Sequence, residues 1–242
     1  PVPRPGAPPE LVLFEAAILA SRYDYHPVIR PDLPLPYDVS TAMQRDMLDL
    51  MLDGAHPDRG FDLLRACGFI DRFWPELADL GTVEQSKDYH PEGDGWRHTM
   101  ETFSHRKTVD PLLSMALLLH DTGKPEAESS GGKRFDGHSE LGARTASGFL
   151  ARLGYDRTFA GNVAWLVRYH MLPAALPRIP VDSTARLMDN ALFPTLLELY
   201  RCDELSTFRG PDGYYEACSV YRSYRKHPAR TIAASQRRRP AL

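Results

Sequence analysis

Six residues that normally avoid a protein interior fall on inward faces, or at the ends, of apolar helical segments: His98, His120, Asp121, His138, His170 and Asp203. A buried carboxylate is costly unless it is paired or bound to a cation, and four imidazoles beside two carboxylates point to a metal. One inward histidine alone is ordinarily a satisfied core residue. Six such groups on five predicted helices weaken that reading. Imidazole and carboxylate without thiolate suit Mn, Fe, Co, Ni or Zn, with Mg accommodated if water fills the remaining positions. Six ligands exceed what one open catalytic ion takes from protein, so two divalent ions sharing Asp121 are expected. A pair about 3.5–4 Å apart suits in-line attack of hydroxide at phosphorus. Lys124, three residues after Asp121, can then reach a non-bridging phosphate oxygen. The competing reading of Lys124 is a helix-end lysine in solvent. Lys133 and Arg134 follow Gly131-Gly132 and could hold a second phosphate or merely solubilise their loop.

These groups need rigid elements to position them, and the pattern is helical almost throughout from Ser40 onward, so the expected fold class is all-α. Ser40 or Thr41 can cap a helix through Leu52, and a second over 58–67 ends at Gly68. PLLSMALLLH (111–120) is apolar at nearly every position, the mark of a helix buried on all sides, and it delivers His120-Asp121 at its end. From the N-cap Asp156, Phe159, Val163, Leu166, Val167 and His170 follow one buried stripe. Further helices are expected over 139–153 and 194–205, the latter turning Asp203 inward with Leu196 and Leu199 or Tyr200.

The order of His98, the His120-Asp121 doublet and Asp203 resembles the HD-domain metal-dependent phosphohydrolases, an all-helical family named for its His-Asp pair. His138 and His170 match the two additional histidines of its two-metal members. The resemblance implies that His98, His120, Asp121 and Asp203 hold one ion, and Asp121, His138 and His170 the other. A bare His-Asp pair arises by chance, but LLHDTGKP, GHSELGA and VRYH in order are specific.

Over about Gly60 to Ser206, FDLLRACGFIDRFWPEL, YHPEGDGWRHT, LLHDTGKP and RFDGH are similar to the C-terminal HD part of bacterial tRNA nucleotidyltransferases, the CCA-adding and poly(A) polymerase family. No Gly-Gly-Ser-type loop with a following Asp-x-Asp pair accompanies them, so polymerisation is not expected. The resemblance implies an accessory phosphohydrolase acting on a nucleotide or RNA 3′-end: 2′,3′-cyclic phosphates, 2′-nucleotides or phosphomonoesters. His90, Glu92 and Asp94 belong to the YHPEGD motif and are read as a loop that closes over the site and orients Trp96 and His98. His105, which is not a family ligand position, is expected to be partly exposed. His26, His56 and His227 are expected at the surface.

Two other chemistries fit the same ligands. Some HD-fold proteins hold a mixed-valent di-iron centre and activate dioxygen, and two-metal members that split dinucleoside polyphosphates share the His138 and Tyr169-His170 pattern. HDTGK favours phosphate chemistry over the first, and YHPEGD points away from the second. A binding module with a vestigial metal site is the third alternative, disfavoured because all six ligands and Lys124 are present.

The 242 residues are 43% apolar and 25% charged, ordinary for a globular chain. The longest apolar stretch, Leu11 to Ala20, is interrupted by Glu15 and is half of the roughly 20 residues a membrane span needs, so no crossing is expected. The first residues lack a charged-then-apolar signal pattern, and Cys67, Cys202 and Cys218 are isolated, so a reducing cytoplasm is the expected location. Nine of the 21 prolines lie in the first 36 residues and should break regular structure there, with one short helix over 11–22. The net charge of −3 divides into −10 over residues 1–216 and seven Lys or Arg with no acid from Ala217 onward. That basic segment, with Tyr221 and Tyr224 interleaved, could hold RNA by charge and stacking, or be an idle solvated tail. The expected organisation is a Pro-rich N-terminal arm (1–39), a helical neck-like segment (40–88), an HD phosphohydrolase core (89–207) and a basic C-terminal extension (208–242).

Overall fold

The computed structural model describes residues 9–25, 38–83, 93–129, 135–207 and 210–228. The chain is all-α, with no strand among the described residues. The first five helices are α1 (Pro9–Arg22), α2 (Thr41–Leu52), α3 (Pro57–Ala66), α4 (Phe69–Phe73) and α5 (Pro75–Ala78). α6 (Gly95–Thr102), α7 (Pro111–Leu119), α8 (Lys124–Ser129), α9 (His138–Arg152) and α10 (Arg157–Tyr169) follow. α11 (Leu172–Ala175), α12 (Val181–Met188), α13 (Phe193–Leu205) and α14 (Asp212–Lys226) complete the order. No described helix is long and apolar enough to cross a membrane.

The predicted caps form. Ser40 Oγ accepts from Met43 N at 3.3 Å, and the Asp156 carboxylate accepts from Thr158 N and Phe159 N at 2.9 Å each. These bonds satisfy N–H groups that a helix start leaves without a partner. Gly68 stops α3 at φ 74°, a left-handed value that favours glycine.

The central element is α7, where every residue from Leu113 to Leu119 is buried. It packs against α2, α6, α10 and α13, so the three elements bearing His98, His170 and Asp203 all lie against it. α9 and α10 form the most extensive helix pair, and α10 joins that pair to α7. Trp74 anchors the other end, fully buried against Phe61, Phe69 and Phe149. Its Nε1 donates to Gln44 Oε1 at 2.9 Å, and Gln44 Nε2 donates to the Val39 carbonyl at 2.8 Å, so the buried polar atoms are satisfied.

The first and last described helices both contribute to this core. α1 lies on α3 and α2, buries Leu13, Phe14 and Ala17, and sets Phe14 edge-on to Phe69 at 5.5 Å. The C-terminal segment corrects the expectation of interleaved tyrosines free to stack on RNA. α14 buries Ala217, Cys218 and Tyr224 against the core; Tyr224 Oη donates to Asp189 at 2.9 Å, and the Tyr221 ring sits 4.8 Å from Phe193. Tyr214, Ala217, Cys218, Tyr221 and Tyr224 recur at helical spacing, a buried stripe masked by the intervening basic residues. Arg222, Arg225 and Lys226 remain exposed on the outer face, whereas Arg230 and Arg237 to Arg239 lie outside the described residues.

Candidate metal centre

Each of the six predicted ligands comes from a junction the sequence builds for a local reason. Asp94 caps α6 by accepting from Arg97 N at 2.8 Å, and Trp96 Nε1 ties that helix to Asp62 of α3 at 2.8 Å. His98 is thereby carried inward on a helix held at its start. His120 and Asp121 occupy the end of α7, where the chain leaves the core and turns into α8. His138 opens α9, His170 closes α10, and Asp203 lies in the last turn of α13.

The turn after Asp121 depends on close backbone approach. A Cβ on Gly123 would lie 2.0 Å from the His138 carbonyl oxygen and 2.3 Å from Gly142 N, so only glycine lets the α7–α8 turn dock on the start of α9. Gly123 of HDTGK and Gly142 of GHSELGA thus meet across the fold, which sets Asp121 beside His138.

The result is two groups of ligand atoms, His98, His120 and Asp203 in one and Asp121, His138 and His170 in the other, with the atoms of each within 4.8 Å of one another. Asp121 faces both. Its Oδ1 is 3.7 Å from His138 Nε2 and 3.8 Å from His170 Nε2, while its Oδ2 is 3.3 Å from His120 Nε2 and 3.7 Å from His98 Nε2. The distances alone place Asp121 with His138 and His170, and its Oδ2 reaches toward the His98, His120 and Asp203 group.

The hydrogen bonds around the imidazoles determine which nitrogen is free to bind a cation. His120 Nδ1 donates to the Leu117 carbonyl at 2.8 Å, His138 Nδ1 to Phe135 O at 2.7 Å and His170 Nδ1 to Val167 O at 2.7 Å. A carbonyl only accepts, so each Nδ1 carries a proton and each ring turns its Nε2 to the centre. Ser206 does the same for His98: its Oγ donates to the Asp203 carbonyl at 2.6 Å and accepts from His98 Nδ1 at 3.1 Å.

The ligand atoms then face one another. His138 Nε2 and His170 Nε2 are 3.1 Å apart, and His98 Nε2 is 3.0 Å from Asp203 Oδ1. Both pairs require a proton or a cation between them. His120 Nε2 is buried and makes no well-aligned hydrogen bond, its neighbour being Asp121 Oδ2 at 3.3 Å. A buried polar atom without such a bond is unusual, and here it points among carboxylates and other imidazoles. The donor set therefore fits divalent metal.

The electrostatics agree. Burial alone would raise the Asp121 carboxyl, but His120, Lys124 and His98 hold it well below the usual carboxylate range. Burial likewise opposes ionisation of Asp203, and the hydrogen bond and charge of His98, with His120, reverse the effect and hold it low. Burial, followed by the neighbouring His120, pushes His170 down to about 4. Anionic carboxylates and a neutral imidazole at pH 7 are the ligand forms a cation requires.

Lys124 lies inside the site, 8% exposed, with Nζ 2.5 Å from Asp121 Oδ2, and not in solvent at a helix end. Lys133, Arg134, His90 and Glu92 lie outside the described residues. His105 is half-buried beside Glu101 and is not among the ligand groups, as expected. His227 is exposed, whereas His56 is only partly so and His26 lies outside the described residues. Sequence reasoning missed Ser206 and the Gly123–Gly142 contact. Ser206 stands three residues after Asp203, one helical turn on, a spacing that could have flagged it.

Comparison with known proteins adds a family and a set of relatives. Residues 97–203 match the family model described as HD domain. The chain is 31% identical over 168 residues to a multifunctional CCA protein of Nitrosococcus oceani, covering 69% of this chain and 38% of that protein. It is 32% identical over 179 residues to an A-adding tRNA nucleotidyltransferase of Deinococcus radiodurans, covering 69% and 39%. A bifunctional uridylyltransferase/uridylyl-removing enzyme of Ruegeria pomeroyi is 31% identical over 150 residues, covering 53% and 16%. The chain therefore spans about two fifths or less of the length of these relatives. The His-Asp doublet and the other four grouped residues all fall within residues 97–203, the stretch that matches the HD domain model.

Proposed function

We propose that this protein is a metal-dependent phosphohydrolase acting on nucleotide or RNA-end phosphoesters: a 2′,3′-cyclic phosphate, a 2′-phosphate or a phosphomonoester. The observation that carries the reading is the shared carboxylate. Asp121 turns one oxygen to each ligand group and has an ammonium, Lys124, against one of them. His98, His120, Asp121 and Asp203 would hold one divalent ion and Asp121, His138 and His170 a second, drawn from Mn, Fe, Ni, Co, Zn or Mg. Such ions supply Lewis acidity toward phosphate oxygens and lower the pKa of water for attack at phosphorus.

The protein's own residues supply the rest. The Nδ1–H bonds to Leu117, Phe135, Val167 and Ser206 orient the imidazoles with Nε2 toward the centre. Lys124 offers a cation to the charge that develops on a non-bridging oxygen, and Lys133 and Arg134 bind a further phosphate. The relatives' names support nucleotide and RNA substrates, since two are tRNA nucleotidyltransferases or CCA proteins and one is a uridylyl-removing enzyme. Arg222, Arg225 and Lys226 on α14 supply a charged face for an RNA strand. The three free cysteines suit a cytoplasmic location.

The test is a substrate panel of 2′,3′-cyclic nucleotides, 2′- and 3′-phosphorylated oligonucleotides, dNTPs and diadenosine tetraphosphate, each with Mn, Ni, Co and Mg. Turnover of the cyclic or 2′-phosphorylated substrates is expected. Turnover of the tetraphosphate alone would make the protein a dinucleoside polyphosphate hydrolase. Tightly bound iron with an EPR signal and oxygen uptake, without phosphate release, would make it an HD-fold oxygenase.

A further inference from the structure

Phe135 has no charge and no ligand atom, yet it touches two parts of the site at once. It is the one non-glycine with positive φ among the described residues, at 61°. Bulky L residues rarely adopt that conformation, and where they do the surrounding structure must hold them. The left-handed turn sends the Phe135 carbonyl toward the start of α9, where it accepts from His138 N at 3.2 Å and from His138 Nδ1 at 2.7 Å. The ring goes the other way, to the start of α8. Lys124 Nζ lies 5.3 Å from its centroid, within the reach of a cation–π contact.

Lys124 Nζ is thus held between an anionic oxygen of Asp121 and an aromatic face, in a setting that leaves the residue 8% exposed. A lysine side chain has four rotatable bonds and would otherwise range over several ångströms. An aromatic face restrains the ammonium without offering a second negative oxygen.

We propose that Phe135 is a positioning residue: its ring holds the Lys124 ammonium in the metal centre, and its left-handed backbone makes the same residue fix His138. The role of Lys124 toward phosphate rests on the phosphohydrolase reading above, but its placement by Phe135 does not.

The experiment separates the two. Phe135→Asn removes the ring and keeps a residue type that tolerates the left-handed region, Phe135→Leu removes only aromaticity, and Phe135→Tyr restores the ring. Acetylation of lysines by sulfo-NHS-acetate, followed by mass spectrometry, reads the placement directly. Lys124 should react more slowly than the exposed Lys107 and Lys226, about three- to tenfold faster in Phe135→Asn and Phe135→Leu, and again slowly in Phe135→Tyr. Hydrolysis of bis(p-nitrophenyl) phosphate with Mn²⁺ reads the consequence. The kcat should fall by a similar factor in both ring-less variants with Mn²⁺ affinity by calorimetry unchanged, and neither variant should lower it further in a Lys124→Met background. Unchanged Lys124 labelling in both variants, or an equal kcat loss with and without Lys124, overturns the proposal. A wild-type protein that hydrolyses no phosphoester overturns the phosphohydrolase reading, and the labelling rates still decide the role of Phe135.

Discussion

Asp121→Asn is the sharpest perturbation of the shared-carboxylate arrangement, because one substitution touches both ligand groups. Oδ1 stands 3.7 Å and 3.8 Å from the Nε2 atoms of His138 and His170, and Oδ2 stands 3.3 Å and 3.7 Å from those of His120 and His98. An ion that binds only the folded chain at one hundred times its Kd stabilises it by about 2.7 kcal/mol. For a chain of this length each kcal/mol moves Tm by about 2–4 °C. One bound ion should therefore raise Tm by about 5–11 °C, and two by about twice that. Replacing a carboxylate oxygen by an amide removes a unit charge from both groups. If affinity falls about a hundredfold, the same metal concentration stabilises by only about 0.4 kcal/mol, a shift of about 1–2 °C. The assay is differential scanning fluorimetry with Mn²⁺ titrated into chelator-treated protein, beside calorimetry for stoichiometry. His98→Ala and His170→Ala should each remove about half of the shift, whereas Asp121→Asn should remove nearly all. A full shift in Asp121→Asn, or one equal to that of His98→Ala alone, would refute the bridging role.

Three further outcomes follow from the same geometry. Ser206→Ala leaves His98 Nδ1 without its acceptor and should weaken metal binding about 10–100-fold by calorimetry, with Ser206→Thr restoring most of it. The metal-free protein should lose stability on acidification below about pH 6.5, measured by urea unfolding at successive pH values. His170 sits at about 4 when folded against a model value of 6.5, so the unfolded chain takes up a proton that the buried ring refuses. That contribution is fully present above pH 6.5 and is lost as pH falls toward 4; a flat profile across this window would contradict the burial of a neutral His170. Finally, deletion from Arg222 would remove buried Tyr224, so the charge of α14 is better tested by Arg222→Glu with Lys226→Glu. The oligonucleotide KM should rise and its salt dependence weaken while mononucleotide turnover is unchanged; equal effects on both substrates would argue against an RNA-contacting face.

The amino-acid sequence by itself determined the helical class, most helix limits and which six costly polar residues were candidates to meet. Those features are local. Ser40 and Asp156 cap because their side-chain oxygens reach N–H groups two or three residues away, and Leu113 to Leu119 demand burial wherever the helix lies. Ligand types betray themselves in the same way, since a His-Asp pair ending an apolar run is costly without a cation. Where aromatic and basic residues alternate, as in α14, the local signal misleads: Tyr224 reads as a stacking platform and is in fact core. Tertiary structure decided the rest because it depends on contacts between distant segments. The backbone approach of Gly123 to Gly142, the turn of each Asp121 oxygen toward a different group, and the placing of Ser206 behind His98 and Phe135 behind Lys124 are all set by how α6, α10 and α13 pack on α7 and α8 packs on α9. No periodicity encodes such distances, and it is those distances that turn a list of costly polar residues into one centre.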